Sequence, residues 1–128
     1  MGPGDDGPRD VPVLVVDDQA VFRRIASDLV RAARGMTLVG EAASGEDAIA
    51  AVEALSPRLV LMDKRMPGIG GIEAAREIRA RHPDVVVVMV SVEQPSAEVL
   101  EASGAAAFMP KSELSARTLA ELWATHGR

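Results

Sequence analysis

Acidic residues and one lysine follow short apolar runs of this chain, and these residue types can hold a cation and an anion side by side. The runs and the polar residues after them are 13–16 with Asp17 and Asp18, 59–62 with Asp63, 85–90 with Ser91, and 105–108 with Lys111. In an open parallel α/β sheet the carboxyl ends of the strands line one crevice, where ligands bind. The sequence therefore predicts one carboxylate-rich pocket that also contains a lysine.

The predicted pocket has a chemistry set by its charges. At an effective dielectric of 20, two unit charges 4 Å apart repel by about 4 kcal/mol, so Asp17, Asp18 and Asp63 need a cation or must take up protons. Oxygen ligands without nearby His or Cys suit Mg²⁺. Lys111 adds a compact positive charge for an anion, and Ser91 adds a hydroxyl. A carboxylate beside a metal and a lysine can attack phosphorus and form an aspartyl phosphate.

Each of these residues also has an ordinary structural interpretation. Asp18 can be a helix cap, Asp63 before a Pro-Gly pair can belong to a turn, and a single lysine such as Lys111 is commonly a surface residue. Their joint placement after successive apolar runs favours a shared site over three unrelated roles.

The composition is typical of one globular domain with a core. The 128 residues are 48% apolar and 26% charged, which favours folding over disorder. The net charge of −5 argues against a nucleic-acid surface. The chain has no cysteine, which excludes disulfides and thiol chemistry and fits a reducing cytoplasm. Membrane spans and a secretion signal are not expected.

Apolar runs alternate with helical patterns after a Gly-, Pro- and Asp-rich stretch at 1–10, which we expect to be a disordered tail. Strands are predicted over 11–16, 36–41, 59–62, 85–90 and 105–108, with a loop at 67–71 and a short helix at 95–102. This alternation predicts βαβ units, and therefore a parallel sheet with helices on both faces.

The predicted helices have recognisable ends and core faces. Ser44 and Ser115 are expected to cap two of them. The first helix presents Phe22, Ile25 and Leu29 to the core by its spacing. Trp123 either continues the core face of the last helix or is an exposed anchor for a partner.

Four motifs together resemble the receiver domains of bacterial two-component response regulators, and the resemblance covers about Val11 to Thr125. The motifs are VLVVDD at 13–18, LMDKRMPG at 61–68, MVS at 89–91 and FMPKS at 108–112. The resemblance implies an α/β fold of the flavodoxin-like receiver type. Its parallel sheet would have five strands in the order 2-1-3-4-5, and the domain would span residues 11–126.

The resemblance also implies roles for single residues. Asp63 would be the phosphoacceptor, with Lys111 beside the phosphoryl group. The Mg²⁺ ligands would be Asp17, Asp18, Asp63 and the Arg65 backbone carbonyl. Ser91 and Phe108 would form a switch pair, and Lys64 and Glu93 would form the rim of the site. Arg65 and Glu93 are hypothesised to pair at the mouth of the site and to restrict the attacking water.

The implied function is signalling rather than enzymatic turnover. A sensor histidine kinase would donate the phosphoryl group in the cytoplasm, and a protein-binding surface on the fourth helix, fifth strand and last helix would then change. The output would be another protein or a DNA-binding domain outside this chain, and the same surface could form a homodimer. No direct contact with nucleic acid or membrane is expected.

Some residues depart from the family pattern and keep two alternatives open. Lys64, the pair Gly70-Gly71, Pro110 and a segment 91–111 about two residues short are the departures. Lys64 and the short segment 91–111 would fit a pseudo-receiver that acts as a phosphorylation-independent protein-binding or dimerisation module. A Mg²⁺-dependent phosphatase is disfavoured, because Arg65 stands where such enzymes have an acid/base aspartate.

Overall fold

Strands and helices alternate along the computed structural model, which describes residues 10–127. In chain order the elements are β1 Val11–Val16, α1 Ala20–Ala32, β2 Met36–Ala42, α2 Gly45–Leu55, β3 Leu59–Asp63, α3 Gly70–Arg81, β4 Val86–Ser91, α4 Ala97–Ser103, β5 Ala107–Pro110, a 3₁₀ turn at Lys111–Glu113, and α5 Ala116–His126. The five strands are parallel in the order β2-β1-β3-β4-β5, which confirms the predicted fold. The predicted tail lies outside the described residues, apart from Asp10.

The central strands are buried on both faces, as their unbroken apolar sequences require. In β1, Val13 and Val15 join a core cluster with residues of α1 and α5. Leu14 and Val16 point to the opposite face and join a cluster with α2 and α3. Each fully buried Val or Leu side chain contributes roughly 1.5 to 3 kcal/mol. The two clusters fix helices on both faces and thereby set where the loops at the strand ends lie.

The helix ends follow local hydrogen bonding. Ser44 accepts a hydrogen bond from the Asp47 N–H at 3.1 Å, which confirms the predicted cap of α2. Ser115 and Thr118 cap α5 reciprocally, so this cap is confirmed as well. Gly104 ends α4 in the left-handed conformation, with φ of 74°.

Some sequence predictions are wrong in detail. Ile25 is 48% exposed, and Ala26, Ser27 and Val30 are the buried residues of α1 instead. The helix is therefore rotated about one residue from the predicted face. Strand β5 begins two residues later than predicted, because the chain leaves α4 through a turn in which the Ser103 hydroxyl accepts the Ala105 N–H at 3.1 Å. Helix α3 begins at Gly70, which shortens the predicted loop.

Trp123 is half-buried and packs against the cluster between the sheet and helices α1 and α5. The Arg58 guanidinium lies 5.2 Å from its ring centroid. This environment fits the core interpretation of the residue. None of the helices between residues 10 and 127 is long and apolar enough to cross a membrane.

Gly71 lets the first turn of α3 pack directly on the end of β3. A Cβ at this position would overlap the carbonyl oxygen of Asp63 and would lie 3.0 Å from the Lys64 Cα. The Gly71 N–H donates to the Lys64 carbonyl at 3.1 Å. The absence of a side chain here therefore sets the backbone on which the Asp63 carboxylate stands.

Replacing Gly71 with alanine should force this packing apart, because the obstacle is backbone and cannot rotate away. We expect Gly71→Ala to lower the free energy of unfolding by about 2 kcal/mol or more in urea denaturation. Gly40→Ala is the matched control, since its Cβ would meet the tip of the flexible Leu55 side chain, and it should cost less than about 1 kcal/mol. Equal losses at the two positions would contradict this account of Gly71.

Candidate functional site

The sheet register brings the predicted site residues to one edge. Asp63 is the last residue of β3 and pairs with Val90 of β4. Ser91 is the last residue of β4 and pairs with Pro110, directly before Lys111. Strand β1 ends beside β3, so Asp17 leaves the sheet at the same edge. Four positions far apart in sequence thus meet where the strands end.

Three carboxylates form the acidic part of this edge. Asp17 is 1% exposed and Asp63 is 6% exposed, whereas Asp18 is open to solvent. Each of the three offers one carboxylate oxygen, and these oxygens all lie within 4.8 Å of one another. Such an oxygen-only set is what a hard divalent cation such as Mg²⁺ prefers.

Lys111 brings the opposing charge into the cluster. Its Nζ lies 2.9 Å from Asp17 Oδ2 and 3.6 Å from Asp63 Oδ1, and its side chain is only 13% exposed. The contact with Asp17 is an ion pair rather than a well-aligned hydrogen bond, since no hydrogen bond of good geometry reaches that oxygen. The lysine therefore neutralises part of the buried charge and leaves carboxylate oxygens available for a ligand.

Asp17 is fixed by the connection between β1 and α1. Its Oδ1 accepts the Gln19 N–H at 2.8 Å, and its backbone carbonyl accepts Arg23 Nη1 at 2.7 Å. Arg23 is held in turn by Glu41, at 3.1 Å. The start of α1 and the acidic cluster are consequently one hydrogen-bonded unit.

Asp63 is the carboxyl group whose protonation the site alters. Its pKa is raised from 3.8 to about 6, chiefly by burial and next by the neighbouring Asp17 carboxylate. The Lys111 ammonium and the backbone N–H of Arg65 oppose this shift and lower the pKa. At neutral pH the site thus holds an Asp63 carboxylate that is poorly compensated and would gain from a bound cation.

A cleft of about 400 Å³ opens above these groups. Arg65 and Glu93 pair across it at 3.0 Å, as hypothesised from the sequence, with both side chains largely exposed. The cleft is lined by Asp18, Gln19, Asp63, Arg65, Ser91, Val92, Glu93 and Lys111. The site thus has a charged mouth above a buried acidic floor.

Three predicted site residues do not line the cleft. Asp17 is buried and contacts Lys111. Lys64 is half-buried, and its backbone bonds to Val90 and Gly71. Phe108 pairs with Met89 in the sheet and packs against the cluster on the α2 and α3 face. Phe108 would therefore reach the site only after a change of its side-chain conformation.

Sequence reasoning missed three residues near the site. Gln19 directly follows the pair Asp17-Asp18, and this adjacency could have identified it as a residue of the site. Val92 is 80% exposed at the cleft, and Phe22 has its ring centroid 4.4 Å from Lys111 Nζ. The sequence carries no signal for these last two contacts, since they depend on how a loop and a helix are placed.

Known proteins share this fold and sequence pattern. A family model described as the response regulator receiver domain matches residues 13–122. Response regulator GacA of Pseudomonas viridiflava is 43% identical over 103 residues, covering 79% of this chain and 48% of the relative. The chain spans about half the length of the curated relatives that it matches.

Solved structures of receiver domains have a similar backbone fold. The response regulator domain of Thermotoga maritima CheB has a TM-score of 0.75 and 34% identity, with 91% of this chain and 92% of that chain covered. The receiver domain of the Arabidopsis thaliana histidine kinase CKI1, in complex with Mg²⁺, has a TM-score of 0.78 and 28% identity, with the same coverage. With the acidic edge, the strand order and the family match in agreement, this chain belongs to the response regulator receiver domain family.

Proposed function

We propose that this receiver domain, residues 11–126, accepts a phosphoryl group on Asp63 from a histidine kinase in a Mg²⁺-dependent reaction. The observation that carries the proposal is the buried Asp63 carboxylate at the floor of a cleft, with the Lys111 ammonium 3.6 Å away. Family membership supports the same role. Receiver domains act in signalling, and we propose no turnover of an external substrate.

The proposed step is a displacement at phosphorus. An Asp63 oxygen attacks the phosphorus of a phosphohistidine or an acyl phosphate, and a new P–O bond forms as the donor's P–N or P–O bond breaks. The electron pair of the broken bond leaves with the imidazole, which takes up a proton, or with the carboxylate of the acyl donor. Lys111 and the Ser91 hydroxyl would hold the oxygens of the transferred group.

The residues of the acidic cluster fit a Mg²⁺ ion. The ion would be held by Asp17, Asp18, Asp63 and the backbone carbonyl of Arg65. All of these offer oxygen atoms, which are the ligands that Mg²⁺ prefers. When bound, the ion offsets charge on the phosphoryl oxygens. The 4.8 Å spread of the three carboxylate oxygens supports this assignment, and the CKI1 receiver domain is a related protein in complex with Mg²⁺.

Phosphorylation would change the balance of charge at the edge of the sheet. The phosphoryl group replaces one carboxylate charge with a larger one and adds acceptor oxygens. Ser91 would move toward it, and Phe108 would turn into the space left by Ser91. The surface of α4, β5 and α5 would then change shape as a two-state population shift. An output protein, a DNA-binding domain outside this chain or a second copy would read that surface.

A pseudo-receiver remains the second candidate, and the length of α4 favours it. This helix has only seven residues, Ala97–Ser103, so the surface next to β5 is small. The intact acidic cluster and the buried Lys111 favour phosphoacceptance instead. Direct measurement of phosphorylation separates the two functions.

Phosphorylation of Asp63 should leave a covalent product that can be weighed. Incubation with acetyl phosphate and Mg²⁺ should add about 80 Da, one phosphoryl group, to the intact mass. Asp63→Asn should abolish the added mass, and EDTA should do the same in the native chain. Asp84→Asn, an exposed aspartate outside the cleft, is the matched control and should be labelled normally. A native mass that stays unchanged would favour the pseudo-receiver.

The raised pKa of Asp63 should make stability depend on pH. Between about pH 4 and 6 the folded state keeps a proton that the unfolded state has released, so deprotonation costs stability and the full cost is reached above pH 6. In EDTA at pH 8, Asp63→Asn should be more stable than the native chain by roughly 2 to 3 kcal/mol. The gain should vanish below pH 4.

Urea denaturation across this pH range measures the difference. Asp84→Asn is again the control, since an exposed carboxylate should give no comparable change with pH. If Asp63→Asn is equally stable or less stable than the native chain at pH 8, the ionised Asp63 carboxylate does not destabilise the folded state.

The ion pair at the mouth of the cleft should prolong the phosphorylated state. Arg65 Nη2 lies 3.0 Å from Glu93 Oε1 at the cleft that contains Asp63. We propose that this pair slows hydrolysis of the aspartyl phosphate by restricting the access of water. Replacing both with alanine should shorten the phosphoryl lifetime severalfold, because water then reaches the aspartyl phosphate more freely. The double variant Arg65→Glu with Glu93→Arg, which reverses the pair, should recover most of the lifetime. Decay rates that are the same in all three proteins would rule out this role.

A further inference from the structure

We propose that Phe22 is a positioning residue that holds the Lys111 ammonium over the acidic cluster through a cation–π contact. The inference rests on the proposed function, because the position of Lys111 matters only if an anion is received there. Neither the sequence pattern nor the cleft lining includes Phe22 among the site residues.

The geometry places the ammonium between an aromatic face and two carboxylates. Lys111 Nζ lies 4.4 Å from the Phe22 ring centroid, 2.9 Å from Asp17 Oδ2 and 3.6 Å from Asp63 Oδ1. A cation within about 6 Å of a ring centroid, over its face, is attracted by the ring quadrupole. The attraction is larger where water is excluded, and the Lys111 side chain is 13% exposed.

The ion pairs alone do not fix the position of the Lys111 ammonium. A lysine is a flexible four-carbon stem with a point charge at its end, and fixing it costs rotamer entropy. Its contact with Asp17 has no well-aligned hydrogen bond, so the carboxylate attracts the ammonium without setting its direction. The ring supplies a second surface, and the ammonium is confined where an incoming phosphoryl group would meet it.

Phe22 is itself held by the element that orders the acidic cluster. It stands on α1 between Arg23, which donates to the Asp17 carbonyl at 2.7 Å, and the exposed Val21. The ring is half-buried and packs against the core cluster of the α1 and α5 face. Helix α1 therefore positions both partners of the ammonium, the Asp17 carboxylate through its first turn and the ring through Phe22.

A plain core role for Phe22 makes a different prediction from a cation–π role. A core residue contributes through its shape and apolar surface, whereas a cation–π partner contributes through electron density on the ring face. Fluorinated phenylalanines change the second property and keep the first nearly constant. The two roles can therefore be separated without unfolding the protein.

The experiment incorporates phenylalanines with one, two and three ring fluorines at position 22 and measures the rate of labelling by acetyl phosphate with Mg²⁺. The cation–π role predicts a stepwise decline with each fluorine, about threefold to tenfold in total. Phe22→Leu, which keeps an apolar side chain, should be slowed at least as much as the trifluoro variant. A constant rate through the fluorinated series would overturn the proposal, even if Phe22→Leu is slow.

A second readout does not depend on phosphorylation. Lys64 and Lys111 are the only lysines of the chain, so ¹³C-labelled lysine gives two sets of εCH₂ signals, with Lys64 as the internal reference. Ring current should move the Lys111 signal upfield, and fluorination at Phe22 should reduce this upfield shift, because the ammonium is then held less closely over the ring. Fluorinated phenylalanines at position 108, the site of the other phenylalanine, should leave the Lys111 signal unchanged.

These spectra keep the two proposals distinguishable. If the native chain is never labelled, the proposed function fails, and the lysine spectra alone decide whether the ring holds the ammonium. A Lys111 signal that coincides with a solvent-exposed lysine and ignores fluorination at Phe22 would overturn the positioning role.

Discussion

Repulsion between buried carboxylates at the end of a parallel sheet is the constraint on which the rest of this structure depends. Asp17 and Asp63 are nearly inaccessible to solvent, and among residues 10–127 one ammonium, that of Lys111, lies against them. Burial and then the charge of Asp17 raise the pKa of Asp63. A cation and an anion that bind together would relieve this repulsion, because the cation offsets the carboxylates and the lysine is then available to the anion.

The fold holds this unfavourable arrangement in place by packing on both faces of the sheet. The strands that end at the site are buried among Val, Leu and Met side chains, so the strand ends cannot move apart cheaply. Helix α1 is tied to Asp17 by backbone and side-chain hydrogen bonds. Helix α3 approaches Asp63 closely enough to require glycine at position 71. Stability gained in the core thus offsets the charge repulsion at the edge.

The sequence predicts the fold well because its signals are local and repeated. The apolar runs identify all five strands, and serines at 44 and 115 identify two helix starts, since each signal lies within a few residues of its effect. The placement of Asp17, Asp63 and Lys111 at one edge follows from the topology alone. The strand order came from the family resemblance, because periodicity does not determine which strands are neighbours.

What could not be predicted depends on packing between distant elements. The rotation of α1, which exposes Ile25 and buries Val30, is decided by the helix's fit to the sheet and to α5. The contact of Phe22 with Lys111 joins residues 89 positions apart and has no sequence signature. The raised pKa of Asp63 requires its burial, and the sequence shows only that an aspartate follows an apolar run.

The central claim is that these carboxylates and this lysine form one receptor for a divalent cation and a phosphoryl group together. Beryllofluoride, which mimics a phosphoryl group on a carboxylate, tests it most directly through the ¹⁹F spectrum of the protein. The account predicts bound fluorine signals that appear only when Mg²⁺ is present and that are absent in Asp63→Asn. Bound signals that form without Mg²⁺, or that persist in Asp63→Asn, would contradict it.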